Sequence, residues 1–157
     1  MPEIFLKTKI NAPAERCFLL SLSIDLHMAT AAQTKEKAIA GVTEGIMKLN
    51  EAVTWRAKHL GFTQRLTSKI TEYKYGEMFV DEMQEGTFKM MHHRHSFKNE
   101  NGFTNMTDVF RYEAPFGFLG KITENLFLTN YLIRFLQGRN KHIKKVAEGD
   151  EWKMYIK

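Results

Sequence analysis

Between residues 36 and 114 the sequence repeats with a period of two, which is the side-chain repeat of a β-strand. The segments that follow this period lie at 37–41, 52–60, 62–73, 78–83, 87–97 and 103–114. The clearest turn between them is NENG at 99–102, because Asn-Gly favours a two-residue hairpin. Strands joined by consecutive hairpins pair antiparallel, so this region predicts a single antiparallel sheet.

The segments on either side of this region complete the element order. The segment EIFLKTKI at 3–10 alternates like a further strand, and short helices are predicted at 14–21 and 25–33, with Asp25 as the N-cap of the second. Near the C-terminus, apolar residues recur at helical spacing and predict one long helix from about 118 to about 146. The predicted order is a strand, two short helices, six strands and a long helix.

The length and the cysteine content limit the class of protein. The chain has 157 residues, which suits one domain over 1–157 with a core that needs no disulfide. Its single cysteine, Cys17, has no intramolecular partner, and the alternating N-terminus is unlike a secretory signal, so a cytoplasmic location is expected. No apolar run approaches the roughly 20 residues of a membrane span, so stable membrane insertion is not expected.

The net charge of +5 is mild, and only one stretch of the sequence is densely basic. This stretch comprises Arg134, Arg139, Lys141, Lys144 and Lys145. Cations are favourable at the C-terminal end of a helix, so we interpret the stretch as a solvated helix end. The sequence therefore predicts no nucleic-acid partner, and it leaves the oligomeric state open.

A set of residues spread over nearly the whole chain accompanies this element order. They are Pro13, Phe18, Val53, Thr54, Trp55, His59, Phe79, Val80, Asp81, Glu82, His93, His95, Phe97, Thr107, Asp108, Tyr112, Pro115, Gly117 and Gly120. Together they resemble the START-like or SRPBCC superfamily, which includes plant pathogenesis-related allergens, polyketide cyclases and lipid-transfer domains. The chain looks like the bacterial ligand-binding, cyclase/dehydrase-like branch of that superfamily.

The resemblance implies a fold and a range of functions. The fold is an α+β helix-grip fold, in which a seven-stranded curved antiparallel sheet surrounds a long C-terminal helix and the two short helices close one end of a cavity. The favoured function is binding or transport of a small, largely apolar ligand that is lipid-like, polycyclic or isoprenoid. A fold does not determine a reaction, so a cyclase, aromatase or dehydratase and a protein-interaction accessory module remain alternatives.

Alternation along the strands predicts which side chains line the cavity. His93 and His95 share a face with Phe97 and are predicted to point inward, whereas His92 and Arg94 are predicted to face solvent. The same argument selects one face of each neighbouring strand and the apolar face of the last helix. The expected ligand-binding residues are Trp55, His59, His93, His95, Asp108, Phe110, Tyr112, Leu128, Tyr131 and Phe135.

Any chemistry in this cavity would depend on its histidines. His93, His95 and Asp108 are the catalytic candidates, because a carboxylate can orient an imidazole and raise its basicity. A structural network of histidine and aspartate side chains is the favoured alternative. A zinc site on the H-x-H pair, completed by His59 or by an aspartate, is a third interpretation. The sequence contains no cofactor motif, and we predict neither a metal nor a cofactor.

Overall fold

A computed structural model of the protein describes residues 2–31, 35–59, 61–114 and 127–156. Its strands are β1 (Glu3–Ile10), β2 (Lys37–Gly41), β3 (Ala52–His59), β4 (Phe62–Lys74), β5 (Met78–Gly86), β6 (Met90–Glu100) and β7 (Phe103–Glu113). Its helices are α1 (Ala14–Ser21), α2 (Ile24–Thr30) and α3 (Thr129–Glu148), and a short 3-10 helix follows at Glu151–Met154. The predicted order of elements is confirmed.

The strands form one seven-stranded antiparallel sheet in the order β1-β7-β6-β5-β4-β3-β2. From β2 to β7 each strand pairs with the next along the chain, whereas β1 pairs with β7. The β6–β7 turn contains Asn101 and Gly102, with φ of 51° and 86°, between the paired residues Glu100 and Phe103. Asparagine and glycine tolerate positive φ, so this turn is the two-residue hairpin that the sequence predicts.

Register shifts bend the sheet around the long helix. One shift occurs between β2 and β3, and two more occur between β4 and β5. An unpaired extra residue bends a strand and increases its local twist. Together, the curved sheet and α3 packed against its concave face form the α+β helix-grip fold that was expected.

Helix α3 turns one face toward the sheet. Its buried residues recur at intervals of three or four and are Leu132, Leu136, Asn140, Ile143, Val146 and Ala147. The sequence predicted a helix from about 118 to about 146. The described helix runs from Thr129 to Glu148, and residues 118–126 of the prediction lie outside the described residues. Within the described part of the chain, no helix combines the length and apolarity of a membrane span.

The N-cap of α2 differs from the prediction. Helix α2 begins at Ile24, and its N-cap is Ser23, whose hydroxyl accepts a hydrogen bond from the Leu26 amide at 3.1 Å. The carboxylate of Asp25 instead accepts a hydrogen bond from the Gly45 amide at 2.9 Å. Serine and aspartate are both good N-caps, so the local pattern could not distinguish a helix start at one from a start at the other.

The concave face of the sheet carries two groups of buried side chains. At the closed end, beneath α1, Phe18 packs against Phe79 and Phe97. At the open end, beneath the first half of α3, Phe110 and Leu132 belong to a second cluster. We use "closed end" and "open end" for these two regions. The functional candidates lie at the open end, because the side chains there do not fill the space between helix and sheet.

Candidate functional site

A cavity of about 170 Å³ lies at the open end, between α3 and the concave face of the sheet. Its apolar lining residues are Trp55, Ala57, Leu66, Phe88, Met91, Phe110, Leu128, Tyr131, Leu132, Phe135 and Leu136. Its polar lining residues are His27, Glu36, His59, Gln64, Arg65, Ser68, Asp81, Thr87, His93 and Arg139. Large apolar walls with a few polar groups are typical of sites that bind small molecules.

Because side chains alternate along each strand, one face of each strand forms the side of the cavity that belongs to the sheet. On β6, His93, His95 and Phe97 are buried while Arg94 is exposed and His92 is partly exposed, so the predicted orientation of this strand is confirmed. A slip of one residue would have exposed the phenylalanine and buried the arginine.

A contact between β3 and α3 closes one side of the cavity. The His59 ring lies 5.3 Å from the Phe135 ring, and its Nδ1 shares a hydrogen bond with the Tyr131 hydroxyl at 2.5 Å. Burial lowers the pKa of His59 and outweighs the raising effect of Glu36. Burial also raises the pKa of Tyr131. Both groups are therefore neutral near pH 7, and they join helix to sheet without an ion pair.

A carboxylate with one unpaired oxygen lies at a second side of the cavity. Glu36 precedes β2, and its Oε1 lies 3.0 Å from His27 Nε2, whose ring stacks on Trp55. Its Oε2 is buried and makes no hydrogen bond within the described ranges. Burial would raise the pKa of Glu36, but the charge and hydrogen bond of His27, the charge that His59 carries when it is protonated at acidic pH, and the charge of Arg139 lower it. Glu36 is therefore an ionised carboxylate with spare acceptor capacity.

Arg139 brings a positive charge from α3 to the same cavity. It lines the cavity, is partly buried, and forms no ion pair with the residues that the structure describes. Its charge contributes to lowering the pKa of both Glu36 and Asp81. Among the described residues, the Arg139 guanidinium thus lowers the pKa of two cavity carboxylates without forming an ion pair with either.

A cluster of two histidines and two aspartates lies beside the cavity, and two of its members, Asp81 and His93, line the cavity. His93 Nε2 lies 2.8 Å from Asp108 Oδ1, and His95 Nε2 lies 2.8 Å from Asp81 Oδ2. His95 Nδ1 lies 3.1 Å from Asp108 Oδ1. Asn140 of α3 donates to the other oxygen of Asp108 at 2.7 Å. Asp108 therefore accepts hydrogen bonds from both imidazoles, and Asn140 links Asp108 to α3.

The two histidines of this cluster differ in protonation. Burial and the charge of His95 lower the pKa of His93 to about 4, although Asp108 and Asp81 act in the opposite direction. Burial would also lower the pKa of His95, but hydrogen bonds to Asp108 and Asp81 outweigh burial and raise it. His95 therefore binds a proton more readily than His93, and His93 is neutral near pH 7. The neutral His93 donates from Nε2 to Asp108, so Nδ1 carries its lone pair.

The two aspartates of the cluster are ionised because hydrogen bonds and nearby positive charges lower their pKa more than burial raises it. Burial would raise the pKa of Asp81, but the hydrogen bond and charge of His95, followed by the charges of His93 and Arg139, lower it to about 2. Burial likewise opposes ionisation of Asp108, while hydrogen bonds from His93 and His95 hold its pKa well below the usual range.

The cavity wall contains seven of the ten residues that the sequence selected. They are Trp55, His59, His93, Phe110, Leu128, Tyr131 and Phe135. His95, Asp108 and Tyr112 are buried but do not line the cavity. His95 and Asp108 lie in the network with His93, and the Tyr112 hydroxyl pairs with the Thr129 hydroxyl. Strand alternation identifies the face of a residue but not its depth, which is why these three residues share the concave face without reaching the cavity.

Eight polar residues of the cavity wall were missing from the predicted lining, and four of them take part in the interactions described above. His27 lies on α2, Glu36 in the segment before β2, Asp81 on β5 and Arg139 on α3. In the sequence analysis, Asp81 was named only among the residues that carry the family resemblance. Arg139 was assigned to a solvated helix end, yet it reaches the cavity because α3 carries it on the side that faces the sheet.

No protein-family model and no curated protein matches the sequence significantly. Solved structures match over nearly the whole chain. A protein from Thermus thermophilus is 16% identical, with a TM-score of 0.72, covering 93% of this chain and 99% of that one. Ginseng major latex-like protein 151 from Panax ginseng is 13% identical, with a TM-score of 0.69, covering 94% of this chain and 98% of that one. A START superfamily protein from Mycobacterium smegmatis is 12% identical, with a TM-score of 0.69, covering 93% of this chain and 97% of that one.

Identities this low establish the fold alone. The chain has the START-like helix-grip fold, as the resemblance implied. What the protein does must therefore be argued from the cavity and from its polar groups.

Proposed function

We propose that the chain acts over 1–157 as one domain that binds or transports a small, largely apolar ligand in the cavity between the sheet and α3. The observation that supports this most strongly is the cavity itself, at about 170 Å³ between otherwise packed layers. An engineered apolar cavity of about 150 Å³ accommodates benzene. The apolar part of the ligand is then about the size of one or two rings, within the polycyclic and isoprenoid classes.

The polar groups of the cavity narrow the class of ligand. Among the residues that the structure describes, none donates a hydrogen bond to the buried Glu36 Oε2, and leaving such an acceptor unpaired costs about 1–3 kcal/mol. A ligand hydroxyl that donates to this oxygen would offset part of that cost. We therefore propose an apolar ligand with one hydroxyl or similar donor.

The two alternative functions have less support. A protein-interaction module would be expected to have helix and sheet packed without a void, whereas a cavity is present at the open end. A cyclase, aromatase or dehydratase needs a competent acid or base at the cavity, but the pKa of His93 near 4 makes it a weak base.

We retain a cytoplasmic location as part of the proposal, because Cys17 is a buried free thiol.

Ligand titration tests the proposal. Native mass spectrometry of freshly purified protein identifies any molecule that is retained. Trp152→Phe leaves Trp55 as the only tryptophan, and quenching of its fluorescence then reports binding of fatty acids, isoprenoids and polycyclic aromatics. Transfer of apolar area supplies roughly 25 cal/mol per Å², so micromolar affinity that rises with ligand hydrophobicity is expected.

Enlarged side chains provide the control for position. Tyr131→Trp and Phe110→Trp reduce the space in the cavity and should weaken displacement of an environment-sensitive dye at least about tenfold. Phe5→Trp makes a comparable change at an exposed position on β1 and should leave binding unchanged. Failure of every apolar probe to bind would refute the proposal and favour the interaction module.

A further inference from the structure

We propose that Asp81, His93 and His95 form a binding site for a divalent transition-metal ion such as zinc, with one coordination position open toward the cavity. This goes beyond the proposed ligand binding and does not depend on it. The inference rests on the relative positions of these side chains and on the hydrogen bonds behind them.

The distances between the three groups suit coordination of one ion. One oxygen of Asp81 and one ring nitrogen of each histidine lie within 4.8 Å of one another. Asp81 Oδ2 lies 2.8 Å from His95 Nε2 and 4.0 Å from His93 Nδ1. Ligand atoms bound to zinc at about 2.0–2.2 Å in a tetrahedron lie about 3.3–3.6 Å apart. The two separations from Asp81 therefore have to change by less than about 1 Å, and the separation between the two ring nitrogens, which is at most 4.8 Å, by at most about 1.5 Å.

The hydrogen bonds behind the site orient both imidazoles as metal ligands. His93 Nε2 and His95 Nδ1 lie 2.8 Å and 3.1 Å from the same oxygen of Asp108. Asn140 donates to the other oxygen of Asp108 at 2.7 Å. Metal-binding histidines usually donate their second N–H to a carboxylate, which sets the tautomer and the direction of the lone pair. Here that arrangement leaves Nδ1 of His93 and, once the ion replaces its proton, Nε2 of His95 as the ligand atoms.

The position of the cluster leaves one side of the ion accessible. Asp81 and His93 line the cavity, whereas His95 is buried behind them. Three protein ligands leave a fourth zinc position for water or a polar group of a bound molecule. Arg139 lines the same cavity as Asp81, and its positive charge opposes a cation, so a micromolar dissociation constant is expected rather than a tighter one.

The sequence left the third ligand open between His59 and an aspartate. His59 is not available, because its Nδ1 is hydrogen-bonded to Tyr131. Asp81 takes its place because β5 pairs with β6 and sets Asp81 opposite His93 in the register. A matched control lies on the other face of β6, where His92 Nε2 approaches Glu82 at 3.7 Å.

Zinc titration of untagged protein, stripped with a chelator, tests the site. Calorimetry should give one equivalent with a micromolar dissociation constant. Asp81→Asn and His93→Gln should each weaken binding at least about a hundredfold, and Asn140→Leu about 10–100-fold through Asp108. His92→Gln should leave binding unchanged.

A spectrum of the unaltered protein makes the test independent of variant folding. Cobalt substituted at a site with two nitrogens and one carboxylate should give intense visible absorption typical of four or five ligands, and zinc should abolish it. Absence of zinc binding to the unaltered protein, a weak six-coordinate cobalt spectrum, or binding lost in His92→Gln but kept in Asp81→Asn would each overturn the proposal.

Discussion

The closed and open ends of the concave face use the same strand alternation but differ in what covers them. At the closed end, α1 lays the Phe18 ring 5.8 Å from Phe79 and 5.7 Å from Phe97, and the three rings are buried. At the open end, Tyr131 and Phe135 of α3 meet the sheet only at the cavity margin.

Polar groups follow the same division. The buried or partly buried charges of Glu36, Asp81 and His95 lie around the open end, where hydrogen bonds and ion pairs have to offset their desolvation. At the closed end, the Phe18 side chain is surrounded by the aromatic rings of its neighbours. We therefore expect the closed end to contribute most of the stability and the open end to contribute binding.

The largest effect on stability is expected from Phe18→Ala. Phe18 is fully buried between rings of the sheet, so its removal should lower the free energy of unfolding by about 3–5 kcal/mol. Urea denaturation measures this change. Phe135→Ala is the matched truncation at the open end and should cost about 1 kcal/mol, because that ring is partly exposed and borders a cavity already. Equal losses in the two variants would contradict the difference between the ends.

An intermediate effect is expected from Asn140→Ala, measured with a chelator present. The change leaves Asp108 Oδ2 without its buried donor and should lower the free energy of unfolding by about 1–3 kcal/mol. Gln137→Ala on the exposed side of α3 should change stability by less than about 0.5 kcal/mol. If both variants unfold at the same urea concentration, Asn140 does not support the network.

The smallest effect is expected from Glu36→Gln. The pKa of Glu36 is lower in the folded protein than the ordinary value of 4.5, mainly because of His27, with His59 and Arg139 adding to it. Its ionised form therefore stabilises the fold above pH 4.5, and this contribution is lost as the pH falls through the folded-state pKa.

Unfolding as a function of pH isolates this contribution. At pH 7 the glutamine variant should be less stable by about 1 kcal/mol, since hydrogen bonds to charged groups exceed neutral ones by about that amount. Below pH 4.5 the difference should shrink. A difference that stays constant from pH 7 to pH 3 would show that the Glu36 charge contributes nothing.

Much of the fold followed from the period of the sequence. The alternation of buried and exposed residues on β6 was predicted because Phe97 and Arg94 have opposite preferences for burial. The turn at Asn101 was predicted because few residues adopt positive φ without strain. Both signals are local, so the sequence alone contains them.

The polar part of the site depends on contacts that local signals do not contain. On β5 the consecutive residues Phe79 and Val80 are both buried, so the strand does not alternate between apolar and polar residues there. Without that alternation, the sequence does not indicate that Asp81 faces the cavity. Glu36 precedes a strand, and its position follows from packing against α2. The depth of Asp108 follows from Asn140 on α3, which lies 32 residues further along the chain.

Methyl NMR of the methionines tests most directly whether the open end, and not the closed end, receives an apolar ligand. Met91 lines the cavity, Met106 is buried at the closed end, and Met154 is exposed. On titration with 2-naphthol, a two-ring probe with one hydroxyl, we predict that the Met91 methyl signal shifts and saturates at one equivalent while those of Met106 and Met154 stay in place. No shift at Met91, or equal shifts at Met91 and Met106, would contradict the account.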